Sequence, residues 1–285
     1  TFTVGGINIL TLSAAIVNNS ASPQIVNVPI SLGGTAAVNA ASGNLTLGGD
    51  ISGIGALTKV GNGTLTLSGA SSYAGATTIS SGNVVIPSSA SINNTASMKV
   101  GSEAGNASIL KVGGSITVNN MTIGGGGNTT DIGGGTGAGA GAVYQTNGSV
   151  TVLQTGISDA IFVLGGSGSQ GTAGYGYYQL SNGTLSGNVI NVGGRVNQGL
   201  GVMDVRSGGT VQPGGSLAIG RGNGADQPGY GVLNVAGGAV SFTGAVNPNP
   251  GGDSQFMLGY RGGLSELNIS AGGSVTLSQS GAIGN

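Results

Sequence analysis

Apolar residues along this chain fall in short alternating runs, and nearly every run is broken by glycine or by Asn-Gly. Alternation with a period of two places one set of side chains on one face of a strand and the other set on the opposite face. Glycine and asparagine are the residues that turn the chain through positive φ at least cost. The pattern therefore predicts many short strands joined by sharp corners, with almost no helix.

The runs are organised as repeats. A unit of the form apolar-x-apolar, a short polar stretch, glycine, a small residue and another apolar residue recurs through the second two-thirds of the chain. It reads Leu110-Lys-Val-Gly-Gly-Ser-Ile116, Tyr144-Gln-Thr-Asn-Gly-Ser-Val150 and Tyr178-Gln-Leu-Ser-Asn-Gly-Thr-Leu185. It continues at Met203 to Val211, Leu233 to Val240 and Leu267 to Val275. The glycine before the small residue falls at 114, 148, 183, 209, 238 and 273, at spacings of 34, 35, 26, 29 and 35. A second mark, an apolar residue followed by glycine, closes each unit: Ile123-Gly124, Leu164-Gly165, Val192-Gly193, Ile219-Gly220, Leu258-Gly259 and Ile283-Gly284.

Two independent marks that alternate in this way are the signature of a stacked repeat fold. Three short strands and sharp corners per unit describe one turn of a solenoid. The expected fold is all-β: a parallel β-helix of about ten coils with three short strands each, whose variable stretches, such as Gly124 to Gly141, leave the coil as loops. Residues 1–103 form N-terminal coils with a shorter grammar, in which Thr46 and Thr66 stand 20 residues apart, and residues 104–285 continue the same helix in 26–35-residue repeats.

Composition agrees with a thin, stacked core. Glycine supplies 63 of 285 residues, only 4% are aromatic and only 5% are charged. Disorder fits poorly, because 38% of residues are hydrophobic and they are spread evenly. No strict Gly-X-Y period indicates collagen, and no apolar run reaches the ~20 residues of a membrane-spanning helix. With no cysteine and no histidine, zinc-finger, thiol-protease and serine-triad chemistry is excluded, and no cofactor is expected. Seven cations in a chain of net charge −1 do not neutralise a nucleic-acid backbone.

One stretch carries a family resemblance. Gly55-Ala-Leu-Thr-Lys-Val-Gly-Asn-Gly-Thr-Leu-Thr-Leu-Ser-Gly69, followed by Tyr73-Ala-Gly-Ala-Thr-Thr-Ile79 and Gly82-Asn-Val84, closely resembles the autotransporter-associated β-strand repeat of bacterial surface and secreted passengers. The resemblance covers residues 55–86. It implies a right-handed parallel β-helix and a location outside the cell or on its outer surface.

Candidate chemistry is sparse. The acidic residues Asp50, Glu103, Asp131, Asp159, Asp204, Asp226, Asp253 and Glu266 fall mostly one per coil, whereas carbohydrate-cleaving sites need paired carboxylates. The densest group is Asp204, Arg206, Arg221 and Asp226, which reads more simply as solvated ion pairs securing loops. Arg195, Arg221 and Arg261 follow the apolar-glycine mark at nearly the same offset, so stacking would align them along one edge. There they would contact an anionic sugar or a neighbouring protomer, or else cap carbonyls and pair with Asp226 and Asp253. The glycine strings 124–127 and 133–141 lack the Lys-Ser/Thr of a phosphate loop and read as corners and loops. Thr46, Thr66, Thr117, Thr151, Ser186, Ser241 and Thr276 are expected at the outward centre of the second strand. Gln212 interrupts that column and spoils the flat lattice an ice-binding face would need.

The expected function is a non-enzymatic structural or adhesive module of an extracellular or surface protein. The alternative is a β-helix that binds or degrades polysaccharide. Both ends of the chain read as coil rather than cap, so further coils or head-to-tail copies are expected to cover them.

Overall fold

The computed structural model describes residues 1–94, 96–101, 103, 105–125, 139–153, 162–166, 174–194, 199–222, 228–242, 256–277 and 281–283. Their strands wind into a parallel β-solenoid. One ladder contains eleven strands in strict chain order and sets the coil count. Coils 1–11 are numbered here from these strands: Phe2–Gly5, Gln24–Asn27, Leu45–Leu47, Thr64–Leu67, Gly82–Ile86, Ala107–Val112, Ala140–Gln145, Tyr175–Leu180, Leu200–Arg206, Tyr230–Ala236 and Leu264–Ser270. The second and third strands of each coil stack into two further ladders. These merge into one 20-stranded sheet, because Gly183–Val192 and Gly209–Ile219 run through the intervening corner.

Both sequence marks lie in register. Ser115 pairs with Ser149, Ser149 with Thr184, Thr210 with Ala239 and Ala239 with Ser274, so each small residue sits over its counterpart in the coil below. The closing marks stack as Ile123, Leu164, Val192, Ile219, Leu258 and Ile283 in consecutive pairs. Coil length follows from the same registers. Leu45 pairs with Leu65 and Thr64 with Asn83, whereas Ala107 pairs with Ala140 and Ala140 with Tyr175. The extra residues of the long coils leave the ladder between strands; the expected loop from Gly124 to Gly141 lies mostly outside the described residues.

The core is a column of aligned aliphatic rows. Leu65, Val84, Leu110, Val143, Tyr178, Met203 and Leu233 are all buried and stand one above another. The second ladder contributes Ile92, Ile116, Val150, Leu185, Val211 and Val240. Burying each such side chain contributes about 1.5–3 kcal/mol, and stacking gives every one the same neighbours above and below.

Glycine is required at the corners for two reasons. Gly193 closes a coil at φ 94°, in the left-handed region. At Gly148 φ is 69° and a Cβ would overlap the carbonyl oxygen of Gly114 in the coil beneath, so the corner backbones pack directly on one another.

Among the polar side chains that enter the column are Lys59 and Gln145. Lys59 takes an inward position between Val38 and Ile79, fully buried, and its Nζ donates to the carbonyls of Val60 (2.8 Å), Gly61 (2.6 Å) and Ser81 (3.1 Å). Gln145 also points inward. Its Nε2 donates to the carbonyls of Gly148 and Thr184, both at 3.1 Å, and its Oε1 accepts from the Tyr178 hydroxyl at 2.5 Å. Every polar atom of that buried amide is satisfied.

Gln145 corrects the reading of its unit. The apolar-x-apolar strand was expected to begin at Tyr144, but Val143 and Gln145 face inward and Tyr144 faces out. The buried hydrogen-bond network, rather than hydrophobicity, fixes the face. The polar column also needs correcting. Thr46 and Thr66 pair with each other in the first ladder, while Thr117, Thr151, Ser186 and Gln212 align in the second. Leu45-Thr-Leu47 and Leu65-Thr-Leu67 are therefore first-strand segments, whereas the threonine-centred segments at 116–118 and 150–152 are second strands.

Two predictions follow from the corners and the buried groups. Gly148→Ala is expected to destabilise the protein by about 1–3 kcal/mol through strain at positive φ and overlap with Gly114. Gly34→Ala, with open space around the added Cβ, is expected to leave thermal unfolding unchanged. The second concerns alkaline pH. Burial lowers Lys59 from 10.5 to about 8, raises Tyr73 from 10.0 to about 12, and raises Tyr178 further. Between pH 8 and 10.5 the unfolded chain therefore binds more protons at Lys59, and stability rises with pH; above pH 10 it binds fewer at the tyrosines, and stability falls. The melting temperature is expected to peak near pH 10, and Lys59→Met is expected to flatten the rising limb, to which Lys99, also lowered by burial, adds with the same sign.

Candidate functional site

Strand alternation leaves half the residues of the first ladder facing outward, and in the later coils this outer face collects the protein's unusual side chains. One outward row runs Thr66, Val85, Lys111, Tyr144, Gln179, Asp204, Asn234 and Asn268, one residue per coil from coil 4 to coil 11. The neighbouring row contains Ile109, Ala142, Tyr177, Val202, Val232 and Glu266. Tyr175 and Tyr230 stand two residues before Tyr177 and Val232 on the same face. Four of the seven tyrosines, at 144, 175, 177 and 230, therefore lie on this face.

Asp204 is the electrostatic centre of the row. Its Oδ2 accepts from the Tyr177 hydroxyl at 2.7 Å, and its Oδ1 accepts from Asn234 Nδ2 at 2.8 Å. Arg206, two residues along the same strand, approaches Oδ2 at 3.5 Å. The network continues upward: Asn268 Nδ2 donates to Asn234 Oδ1 at 2.8 Å and to Glu266 Oε1 at 2.7 Å. Like charges stacked at ~4.8 Å repel, whereas an Asp-Asn-Asn ladder alternates donors with acceptors. Burial, the bond to Asp204 and the charge of Asp204 all raise the Tyr177 pKa. The held ring then packs against Tyr144 with centroids 5.6 Å apart.

Beside Tyr144 lies an open groove of about 680 Å³ that spans coils 5–8. Val85, Pro87, Ile109, Lys111, Tyr144 and Gln179 form most of its wall.

The arginines named by the sequence take separate places. Arg261 and Arg221 converge on one ring: their guanidinium carbons stand 5.0 Å and 5.6 Å from the Tyr260 centroid, within cation–π range. Arg221 is buried there and Arg261 is exposed. The backbone of Arg221 abuts Gly229, while Asp204 pairs with Asn234, five residues farther along an extended strand and so roughly 16 Å away. Asp204 and Arg206 are thus brought together, and Arg221 belongs to a different corner. Arg195, Asp226 and Asp253 lie outside the described residues. Among the described residues no group of three or more acidic side chains is placed to hold a metal ion.

Sequence reasoning missed Tyr144, Tyr177, Lys111, Asn234 and Asn268 as one surface. The signal was available in the strand alternation, which puts Tyr177 on the opposite side from Tyr178 and Lys111 opposite Leu110. Recognising it required placing Tyr144 outside, which the buried Gln145 concealed.

The Asp204 network predicts a spectroscopic change. In Asp204→Ala the acceptor and the negative charge beside Tyr177 are gone, so Tyr177 is expected to ionise at lower pH than in the parent protein. Tyrosinate absorbance measured against pH checks this, with Tyr177→Phe identifying the affected ring.

Residues 57–86 match the family model of the passenger-associated-transport-repeat. No curated protein and no solved structure matches the chain. The matched segment runs from the third strand of coil 3, through coil 4, to the end of the first strand of coil 5; Leu57 pairs with Thr77 one turn on, so the match covers about one and a half turns of the solenoid. It contains the buried Lys59 and Tyr73, the latter bonded to Thr77 Oγ1 at 2.6 Å. With that repeat in register within eleven parallel coils, the chain is a parallel β-solenoid that carries one segment similar to the passenger-associated-transport-repeat.

Proposed function

We propose that this chain is a non-enzymatic, extracellular module of an autotransporter passenger, acting as a rigid shaft that presents its side faces for adhesion. The observation that supports this most is the passenger-associated repeat at 57–86. A solenoid suits the role physically. Each coil stacks on the one below, so the fold lengthens in steps of ~4.8 Å without a larger core, and its faces repeat along the axis. The absence of cysteine suits export in an unfolded state, because no disulfide forms before translocation. Head-to-tail association of copies belongs to the same reading, since an open parallel ladder pairs with any strand of matching register.

The chemistry of the outer face favours binding over turnover. Asp204, the best-placed carboxylate, is committed to Tyr177, Asn234 and Arg206, and the nearest second carboxylate in its network, Glu266, is reached only through two asparagines. Display of the chain on a Gram-negative cell, followed by protease treatment of intact cells, tests the location: the coils are expected outside and susceptible to shaving. Incubation of the purified protein with plant and bacterial polysaccharides is expected to release no products. Product formation that disappears in Asp204→Asn would replace this reading with that of a polysaccharide-degrading β-helix.

A further inference from the structure

We propose that the groove on the outer face of coils 5–8 is a binding site for an acidic polysaccharide, a chain of pyranose rings bearing carboxylates such as a polyhexuronate. This rests on the adhesive reading above and names the ligand of the face. Three features of the groove carry it.

The first is charge. Lys111 is exposed and is, among the described residues, the one charged side chain in the groove wall; the neighbouring Asp204 is paired with Arg206 at 3.5 Å and accepts from Tyr177 and Asn234. The unmatched charge of the groove is therefore positive, and its complement is an anion. The second is shape and lining. Val85, Ile109 and the Tyr144 ring provide an apolar floor, with Lys111 and Gln179 supplying hydrogen-bonding groups at its edge. Apolar and aromatic surface with a few fixed polar groups is how ligand sites bury a ring while reading its substituents. A peptide strand would instead pair with an open sheet edge, and this face offers side chains only.

The third is spacing. Val85, Lys111, Tyr144 and Gln179 stand in one row on four successive coils, each ~4.8 Å from the next, comparable to the length of one pyranose unit. A glycan lying parallel to the solenoid axis would meet one of these side chains per sugar, with a carboxylate at Lys111 and a ring on Tyr144. The aromatic platform is held in advance: Asp204 fixes the Tyr177 hydroxyl, and Tyr177 packs on Tyr144. Preorganisation of this kind lowers the ordering cost of binding. Asp204 and Tyr177 are thus positioning residues for the site.

The test is calorimetric titration of the purified 285-residue chain with oligogalacturonate, and with the same oligomer after reduction of its carboxyl groups. Binding of the acidic oligomer is expected to weaken about tenfold or more in Lys111→Gln and in Tyr144→Ala, and as salt is raised. The carboxyl-reduced oligomer is expected to bind at least tenfold more weakly than the acidic one. Both variants change outward side chains, and unchanged melting temperatures show that the fold is intact. Salt dependence in the parent protein supplies a readout that needs no variant. Absence of binding, equal binding of the reduced oligomer, or binding indifferent to both substitutions overturns the proposal. Adhesion of cells displaying the chain is scored separately. Cells that adhere while the purified chain ignores the oligomer overturn the glycan site alone; a purified chain that binds while the displaying cells do not adhere overturns the adhesive reading.

Discussion

The structure depends on the direct contact of one corner backbone with the corner beneath it. At Gly114, Gly148 and Gly183, successive members of one corner stack, a Cβ would run into a carbonyl oxygen of the coil below. At these three positions the ~4.8 Å strand spacing leaves no room for a side chain between the corners, and glycine is required. A chain built on this principle needs glycine several times per coil, and glycine supplies 63 of the 285 residues. Glycine carries an entropic cost in a strand or corner, and the regained backbone hydrogen bonds and aliphatic rows must offset it at every coil. Hence the core is narrow, its side chains are mostly aliphatic, and charges are rare.

The same constraint governs what the outer faces can do. A ladder repeats whatever it carries at ~4.8 Å, so identical charges are excluded and mixed rows are favoured. The Asp204-Asn234-Asn268 row solves this by passing hydrogen bonds from coil to coil. The aromatic cluster of Tyr144 and Tyr177 sits at its lower end, held by Asp204. Rigidity of the solenoid is therefore transmitted to a surface that stays open.

Much of this was legible in the sequence because the marks that recur are the ones imposed by the corners. The glycine before each small residue and the apolar-glycine closure both sit at the corners, and their spacings equal the ladder registers pair by pair. Legibility failed where polar groups were buried by specific partners. Gln145 lies inside because Tyr178 and two carbonyls receive it, and Lys59 because three carbonyls do; neither is visible as a hydrophobic pattern. Thr46 and Thr66 were assigned to the wrong ladder because an apolar-Thr-apolar stretch occurs on the first strand in coils 3 and 4 and on the second strand in coils 6 and 7. The candidate surface was hidden for a related reason: it joins residues some 30 apart, and one reversed face at Tyr144 breaks the row.

The most direct test of the central claim is a distance across the stack. Thr66 and Asn268 are 202 residues apart in sequence, yet they occupy the same outward row in coils 4 and 11, seven ladder steps from each other. The native chain has no cysteine, so spin labels can be attached at Cys residues introduced at these two positions alone. Pulsed electron–electron double resonance is predicted to give one narrow distribution centred at about 34 Å, broadened only by the label linkers. A broad distribution, or a mean distance far from that value, would contradict the eleven-coil stack.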